Sequence, residues 1–282
     1  AGSVTLTLTT TGNGGCIPVA DDMLITITPA PTVDADIDQT VCANNPTVTL
    51  NGVVTAATGG FWSGGTGTYA PNANTLNAIY TPSVAEITAG TVALTLTTTG
   101  NGNCNSELDN MTITITPAPT ADAGVDQSVC ENNSEVTLAG VVTIATGGIW
   151  SGGSGVYTPN NSSINSVYTP TSAEIALGTI TLTLTTTGNG DCNSESDNMV
   201  ITFTDAPTSS ANIDQSVCAN NAAVTLSGSV TIASGGSWSG GLGIYTPDNT
   251  TLNAVYIPTA AEIVAGSVTL TLTTTGNGGC IP

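Results

Sequence analysis

The sequence predicts an all-β protein built from tandem β-sandwich domains, and three observations lead to this prediction. Apolar residues alternate with threonines in runs such as residues 92–99, which is typical of strands with one buried and one exposed face. Many of the 33 glycines and 14 prolines separate these short runs. The same pattern returns at a fixed interval, as it does in arrays of repeated domains.

The alternating run belongs to a stretch that occurs four times, at residues 4–16, 92–104, 180–192 and 268–280. Threonine is β-branched and therefore suits the exposed face of a strand. Each run is followed by Asn-Gly, a dipeptide that accepts the positive φ of a tight turn. A second alternating run begins at residues 111–116. The stretch is therefore predicted to be one arm of a β-hairpin, ending in a cysteine.

The seven cysteines set the period of the repeat. Their separations alternate between 26 and 62 residues, so the pattern repeats every 88 residues. The tryptophans keep the same spacing, at Trp62, Trp150 and Trp238. A period of this length matches one small sandwich domain. Residues 1–18 and 265–282 are identical, so we expect the chain to be a segment of a longer array.

Proline-rich stretches predict the domain boundaries, because proline cannot donate a hydrogen bond to a central strand ladder. Such stretches lie at residues 28–31, 116–119 and 205–207. The predicted segments are the C-terminal hairpin of a preceding repeat at 1–29, whole domains at 30–117 and 118–205, and a domain lacking its last strand at 206–282.

Within the second domain, the pattern predicts seven short strands and one helical turn. The helical turn is expected at residues 172–176. Seven short strands are typical of an immunoglobulin-like sandwich. The strands are expected near residues 125–130, 134–144, 147–151, 155–158, 164–169, 179–187 and 198–204.

The composition excludes several classes of function. The chain has 20 acidic residues and no lysine, arginine or histidine, which gives a formal charge of −20. It therefore has no side chain to neutralise nucleic-acid phosphates, and anionic membrane surfaces would repel it. No apolar run reaches the roughly 20 residues of a membrane span, so no membrane insertion is expected. Without a basic catalytic residue or a distinctive carboxylate pair, the chain is predicted not to be an enzyme.

The cysteines are predicted to form disulfides, which indicate an oxidising, extracellular setting. A zinc site is disfavoured, because the sequence has no histidine and no closely spaced cysteine pair. Two pairings keep the period: one spans 62 residues within a domain, and the other spans 26 residues across a linker. We favour the first, which would tie the end of the first strand to the final hairpin of the same sandwich. The predicted pairs are Cys42–Cys104, Cys130–Cys192 and Cys218–Cys280, with Cys16 bonded to a preceding repeat.

Two sets of repeated aromatic residues are expected to be structural. The tyrosines Tyr80 and Tyr168 are predicted to pin a loop through their hydroxyl groups, as a tyrosine corner does. The tryptophans are expected to fill the sandwich cores, whereas exposed rings would instead provide platforms for sugar stacking. The predicted core residues are Trp62, Trp150 and Trp238.

Aspartates near the domain junctions are the candidate calcium ligands, because calcium takes six to eight oxygen ligands. One junction aspartate recurs in all three units, as Asp38, Asp126 and Asp214. A structural ion would need the same ligand set each time, so no cofactor is predicted. The expected role of the acidic groups is a solvated, self-repelling surface.

One repeat resembles a known class of repeats. Residues 121–130 read Ala-Asp-Ala-Gly-Val-Asp-Gln-Ser-Val-Cys, and Trp-Ser-Gly-Gly follows at 150–153 and Thr-Leu-Thr-Leu at 181–184. The unit resembles repeats of the giant surface adhesins of Bacteroidota, the SprB-type gliding adhesins, and more distantly PKD-like domains. This resemblance implies an immunoglobulin-like fold, export by the type IX pathway, and an outer-surface filament for adhesion and gliding. The Ala-Asp-Ala-Gly opening is intact only in the second unit.

We therefore predict a structural segment of a long extracellular filament attached to the outer membrane. Its expected partners are neighbouring repeats and, in adhesion, surface polysaccharide. One alternative is an array of glycan- or calcium-binding modules. Another is a fibre of separate subunits joined by strand donation, in which residues 19–28 of one chain complete residues 206–282 of the next. The identical residues 1–18 and 265–282 would then compete for one position, which favours a continuous chain.

Overall fold

The computed structural model describes residues 2–282 and confirms the predicted all-β fold of tandem immunoglobulin-like sandwiches. The chain forms two compact units. Unit 1 comprises the residues up to Pro119 together with Asn189–Asn193, and unit 2 comprises Thr120–Gly188 and Ser194–Pro282. Within residues 2–282, no helix is long and apolar enough to cross a membrane.

Unit 1 contains an amino-terminal hairpin and the first sandwich. The hairpin consists of β1 (Gly2–Thr9) and β2 (Ala20–Ile27). The first sandwich consists of β3 (Thr32–Asp34), β4 (Gln39–Cys42), β5 (Val48–Thr49), β6 (Val53–Thr55), β7 (Gly59–Ser63), β8 (Thr68–Ala70), β9 (Ile79–Thr81), α1 (Val84–Ala89), β10 (Thr91–Thr99) and β11 (Leu108–Thr116).

Unit 2 contains the second and third sandwiches. The second consists of β12 (Thr120–Asp122), β13 (Gln127–Cys130), β14 (Val136–Thr137), β15 (Val141–Thr143), β16 (Gly147–Ser151), β17 (Val156–Thr158), β18 (Val167–Thr169), α2 (Ser172–Leu177), β19 (Thr179–Thr187) and β20 (Ser196–Thr204). The third consists of β21 (Thr208–Ser210), β22 (Val224–Thr225), β23 (Ser229–Thr231), β24 (Gly235–Ser239), β25 (Ile244–Thr246), β26 (Val255–Ile257), α3 (Ala260–Ala265) and β27 (Thr271–Thr275).

Each complete sandwich has a four-stranded and a three-stranded sheet. In the first sandwich the strand orders are β4-β11-β10-β7 and β5-β9-β8, and β3 pairs separately with β6. Neighbouring strands are antiparallel except for β4, which runs parallel to β11. The register places Cys42 beside Thr116, at the C-terminal end of β11. The second sandwich has the same arrangement, with β13 parallel to β20.

The threonine-rich hairpins supply most of the core because their apolar residues share one face. Along β10, Val92, Leu94 and Leu96 are buried, whereas the threonines between them are half-buried or exposed. Met111 and Ile113 on β11 are buried beside them. Burial of each such side chain contributes roughly 1.5–3 kcal/mol.

Each helix occupies a single short segment after the three-stranded sheet. In α2, the Thr171 side chain caps the first turn, and Glu174 returns a hydrogen bond to the Thr171 backbone, which forms a capping box. Gly178 ends the helix in the left-handed conformation, with φ of 78°. The helical turn predicted at residues 172–176 is thereby confirmed.

The third sandwich lacks two strands of its larger sheet. Strand β24 pairs with β27, but this sheet has only two strands, and β27 has five residues where β10 has nine. Residues 215–218 correspond to β4 and β13. Among the described residues they form only an isolated bridge between Cys218 and Asn221.

The seven strands predicted for the second domain are present with small shifts in their ends. The exception is residues 134–144, where the structure has two strands, β14 and β15. Strand β12 was not predicted, because three residues are too short to show an alternating pattern. Corresponding strands begin at Gly59, Gly147 and Gly235. The domain boundaries given above remain predictions.

The core account predicts a position-specific loss of stability. Leu182 on β19 is fully buried, so Leu182→Ala should lower the free energy of unfolding of the second sandwich by about 2–5 kcal/mol. Ile149→Ala is the control, because Ile149 is 38% exposed, and it should cost less than about 1 kcal/mol. Urea unfolding followed by tryptophan fluorescence measures both. Equal effects would contradict the assigned core.

Candidate functional site: the cysteine junction

The candidate site is built around a disulfide that joins successive repeats. In unit 2, Cys130 bonds to Cys280, with an S–S distance of 2.00 Å and 5.1 Å between the Cα atoms. Cys130 ends strand β13 and is 3% exposed. Cys280 lies in the loop after β27, where its amide donates to the Asn277 carbonyl. Both sulfur atoms lie 3.8 Å from the carbonyl oxygen of Asp205.

Unit 1 contains the same junction. Cys42 bonds to Cys192, which lies in the Asn189–Asn193 segment of that unit. Both sulfur atoms lie against the carbonyl oxygen of Pro117, at 3.9 Å and 3.8 Å. Each disulfide therefore joins cysteines 150 residues apart. On the chain-entropy model, closing a loop of that length contributes about 5 kcal/mol.

This pairing corrects the prediction from the sequence, which paired Cys42 with Cys104, Cys130 with Cys192 and Cys218 with Cys280. The reason is the parallel pairing of β4 with β11. It puts Cys42 at the C-terminal end of β11, whereas Cys104 lies in the loop before that strand begins. Eight residue steps along β11 span about 26 Å. The cysteines of one repeat therefore lie near opposite ends of its sandwich, too far apart for a disulfide.

An asparagine clamp accompanies each disulfide. In unit 2, the Asn132 side chain donates to the Ile281 carbonyl (2.9 Å) and accepts from the Ile281 amide (3.3 Å). In unit 1, the Asn44 side chain makes the same two bonds to Asn193, each 3.1 Å long. The clamp copies the hydrogen-bond pattern of a strand pair with one side chain. Sequence reasoning missed it because asparagine in a turn is common without any such role.

Three cysteines within residues 2–282 are outside a disulfide, namely Cys16, Cys104 and Cys218. Cys104 corresponds by position to Cys192 and Cys280. Its sulfur lies 3.6 Å from the Pro29 carbonyl oxygen, which is the arrangement that the two bonded loop cysteines have. Cys218 corresponds to Cys42 and Cys130 but is exposed.

A carboxylate network closes the loop between β16 and β17 in the second sandwich. Glu174 is 6% exposed and accepts hydrogen bonds from the backbone amides of Thr171 and Ser154. The Tyr168 hydroxyl donates to the same carboxylate (2.8 Å) and accepts from the Gly155 amide (2.9 Å). The tyrosine therefore pins the loop, as predicted, but through a glutamate whose role was not recognised.

The network keeps its glutamate ionised. Burial alone would raise the pKa of Glu174, but hydrogen bonds from the amides of Thr171 and Ser154 and from the Tyr168 hydroxyl lower the pKa to about 2. In the first sandwich the pKa of Glu86 is also lowered, by the corresponding donors acting against burial. Burial and the nearby Glu174 charge raise the pKa of Tyr157 to about 12. The carboxylate is thus suited to stabilising the loop rather than to proton transfer near neutral pH.

The tryptophans lie inside the sandwiches, each at most 2% exposed. The indole N–H donates to a backbone carbonyl in every case, for example Trp150 to Ile164 at 2.9 Å. A sugar ring has no access to these faces while the sandwich is folded. The residues concerned are Trp62, Trp150 and Trp238.

The junction aspartates bind backbone rather than gathering around a common point. Asp38 accepts from the Thr112 amide (2.7 Å) and Asp126 from the Val200 amide (2.9 Å), which holds the last strand in place. Asp214 is the corresponding residue of the third sandwich. In the described part of the chain, no three acidic, cysteine or histidine side chains are grouped so that they could hold a metal ion.

Comparisons with known proteins give little beyond the fold. Neither the family models nor the curated proteins give a match. Three solved structures are similar over part of the chain. They are human protocadherin-24 EC1-2 (10% identity, 63% of this chain and 100% of that chain, TM-score 0.36), mouse cadherin-23 EC22-24 (15%, 72% and 74%, 0.31) and the insect immune protein hemolin (11%, 71% and 56%, 0.37). The fold assignment therefore rests on the sheet topology described above.

The carboxylate network predicts a defined pH dependence. The pKa of Glu174 is lower in the folded state, so its contribution is fully present above about pH 4.5 and is lost as the pH falls towards 2. Glu174→Gln should therefore destabilise the second sandwich by about 1–3 kcal/mol at pH 7 and by less near pH 2.5. Urea unfolding at both pH values measures this difference.

The control for this experiment is Glu135→Gln, because Glu135 is an exposed carboxylate on the same sandwich. Comparing the two variants separates the network from the general self-repulsion of 20 acidic groups, which also weakens at low pH. A pH-independent loss for Glu174→Gln, or an equal loss for both variants, would contradict the role assigned to the network.

Proposed function

We propose that this chain is a load-bearing segment of an extracellular surface fibre, in which each sandwich is bonded covalently to the following one. The observation that carries this proposal is the pair of disulfides that each span 150 residues. A disulfide within one domain protects only that domain. One that joins successive repeats keeps the fibre covalently continuous even where a sandwich opens.

The two disulfides also overlap in sequence, and this overlap limits how far the chain extends under tension. The shortest covalent path from Cys42 to Cys280 crosses both disulfides and includes only the residues from 130 to 192. Force applied to the ends therefore reaches a limit long before all three sandwiches are drawn out. A fibre with this property absorbs load without large lengthening.

The composition supports an exposed, extracellular setting. Disulfides persist in oxidising compartments. A chain without lysine or arginine offers no site to trypsin-like proteases, and 20 acidic groups keep neighbouring fibres apart. The sequence resemblance to SprB-type gliding adhesins supports adhesion at the outer surface of a Bacteroidota cell, with surface polysaccharide as the partner. The buried tryptophans argue against sugar stacking on those rings.

Stretching single molecules tests the load-bearing function. With both disulfides intact, the covalent path between the chain ends contains about 105 residues instead of 281, so full extension should be roughly 360 Å. Reductant should raise full extension to roughly 960 Å. The control is a Cys42→Ser, Cys130→Ser double variant, which should extend to the longer value without reductant. Equal extension of the oxidised native chain and the double variant would reject the proposal.

A further inference from the structure

The third sandwich has an open groove where the first two sandwiches hold their last strand. The groove has a volume of about 510 Å³ and reaches the core residues Trp238, Tyr256 and Leu270. Its rim is exposed: Val268 is 37% exposed, whereas the corresponding Val92 is 6% exposed. The missing element is the counterpart of β11 and β20, which lies between two strands of the larger sheet.

The hairpin of unit 1 carries a strand that matches this missing element. Strand β2 has the apolar alternation of β11, with Met23, Ile25 and Ile27 at the positions of buried residues in β11. These three side chains are 57%, 39% and 60% exposed. Their counterparts on β11, which are at most 3% exposed, are Met111, Ile113 and Ile115. Strand β2 therefore has an apolar face without a core to cover it.

The unbonded cysteines point to the same joint. Thr28-Pro29 follows β2 as Thr116-Pro117 follows β11. Both sulfur atoms of the Cys42–Cys192 disulfide lie against the Pro117 carbonyl. Cys104 already lies against the Pro29 carbonyl, and the partner still required there is a cysteine at the end of a first strand. Cys218 is the cysteine of that class outside a disulfide in residues 2–282.

We propose that two copies of this chain join head to tail, with strand β2 of one copy in the groove of the third sandwich of the other. The joint is sealed by a disulfide between Cys104 of the first copy and Cys218 of the second. This inference rests on the proposed fibre function and specifies how one segment continues into the next. It commits to a second copy as the occupant, because the match in strand and cysteine positions is between parts of the same chain.

The donor strand enters alone. In the acceptor, β27 already occupies its place beside β24, and the Cys130–Cys280 disulfide holds the loop that follows it. Strand β1 of the donor, which shares its sequence with the β27 region, therefore separates from β2. In return, β2 gains a ladder with β27, and residues 215–218 pair with it in parallel as β4 pairs with β11.

Two further bonds are expected at the joint from the complete sandwiches. Asp109 accepts from the Ala35 amide (2.8 Å), and Asp197 accepts from the Ala123 amide (2.8 Å). At the joint, Asp21 of the donor takes this role with Ala211 of the acceptor. Likewise, Asp214 of the acceptor receives the Leu24 amide of the donor, as Asp38 receives the Thr112 amide.

The covalent step is a thiol–disulfide exchange that requires a low-molecular-weight disulfide as oxidant, such as oxidised glutathione. The thiolate of one cysteine attacks this disulfide and releases one glutathione thiol. The thiolate of the other cysteine then attacks the mixed disulfide and releases the second. Two protein thiols are oxidised, one S–S bond forms between the copies, and the oxidant is reduced to two thiols.

The experiment is a denaturing gel without reductant, run on the purified chain after incubation with oxidised glutathione. We expect a ladder at multiples of the 27.8 kDa chain mass that collapses when reductant is added. Cys218→Ser and Cys104→Ser should each remove every band above the monomer. Cys16→Ser is the matched control and should leave the ladder intact, because Cys16 is also unbonded and exposed.

A second pair of variants tests the strand itself. Ile25→Asp places a charge on the face that enters the groove and should abolish the ladder. Thr26→Asp should not, because the corresponding Thr114 is exposed in the complete sandwich. A mixture of Ile25→Asp with Cys218→Ser should give a band at twice the chain mass and none higher, since one supplies only the acceptor and the other only the donor. That mixture also shows that both variants are folded.

Three results would overturn the joint. They are an intact ladder for Cys218→Ser, a Cys104–Cys218 bond found only in the monomer band, and monomers alone after oxidation. If those monomers retain Cys42–Cys192 and Cys130–Cys280, the joint fails while the load-bearing function stands. Loss of those two disulfides would instead reject the function on which the joint rests.

Discussion

The rest of the structure depends on the parallel pairing of the first strand with the last strand of each sandwich. Because β4 runs parallel to β11, its cysteine ends beside Thr116, next to the linker. The hairpin loop with the other cysteine lies near the opposite end of the nine-residue strand β11. A cysteine at the linker can then bond only to a cysteine of another repeat. An antiparallel first strand would have brought the two cysteines of one repeat together and left the repeats without a covalent connection.

A chain without cationic side chains must stabilise its buried carboxylates by hydrogen bonds alone. Glu86 and Glu174 are 8% and 6% exposed, and each accepts from two backbone amides and from a tyrosine hydroxyl. Hydrogen bonds to a charged group contribute about 1.5–3 kcal/mol each. The loop must come close for this to happen. Gly153 has a positive φ of 67°, and a Cβ atom there would collide with the Tyr168 hydroxyl. The repeated Trp-Ser-Gly-Gly sequence therefore serves the core and the carboxylate network together.

The sequence was sufficient to predict the fold class and most strands, because alternating threonines and apolar residues define both the strand and its buried face. It was also sufficient to place Trp150 in a glycine-rich strand segment. The disulfide pairing was not predictable, because spacing does not tell whether β4 pairs parallel or antiparallel with β11. The asparagine clamp and the role of Glu174 were missed for a related reason. Each depends on which loop approaches which, although the Thr-x-x-Glu spacing at Thr171 is a capping-box signal that the sequence does contain.

The most direct test of the covalent link between repeats is disulfide mapping of the oxidised chain by mass spectrometry. Cleavage after aspartate and glutamate places the seven cysteines in different peptides, whereas trypsin has no cleavage site. The account predicts peptides that join Cys42 to Cys192 and Cys130 to Cys280. Peptides that join Cys42 to Cys104 and Cys130 to Cys192 would show that each disulfide closes within its own repeat, and would contradict the account.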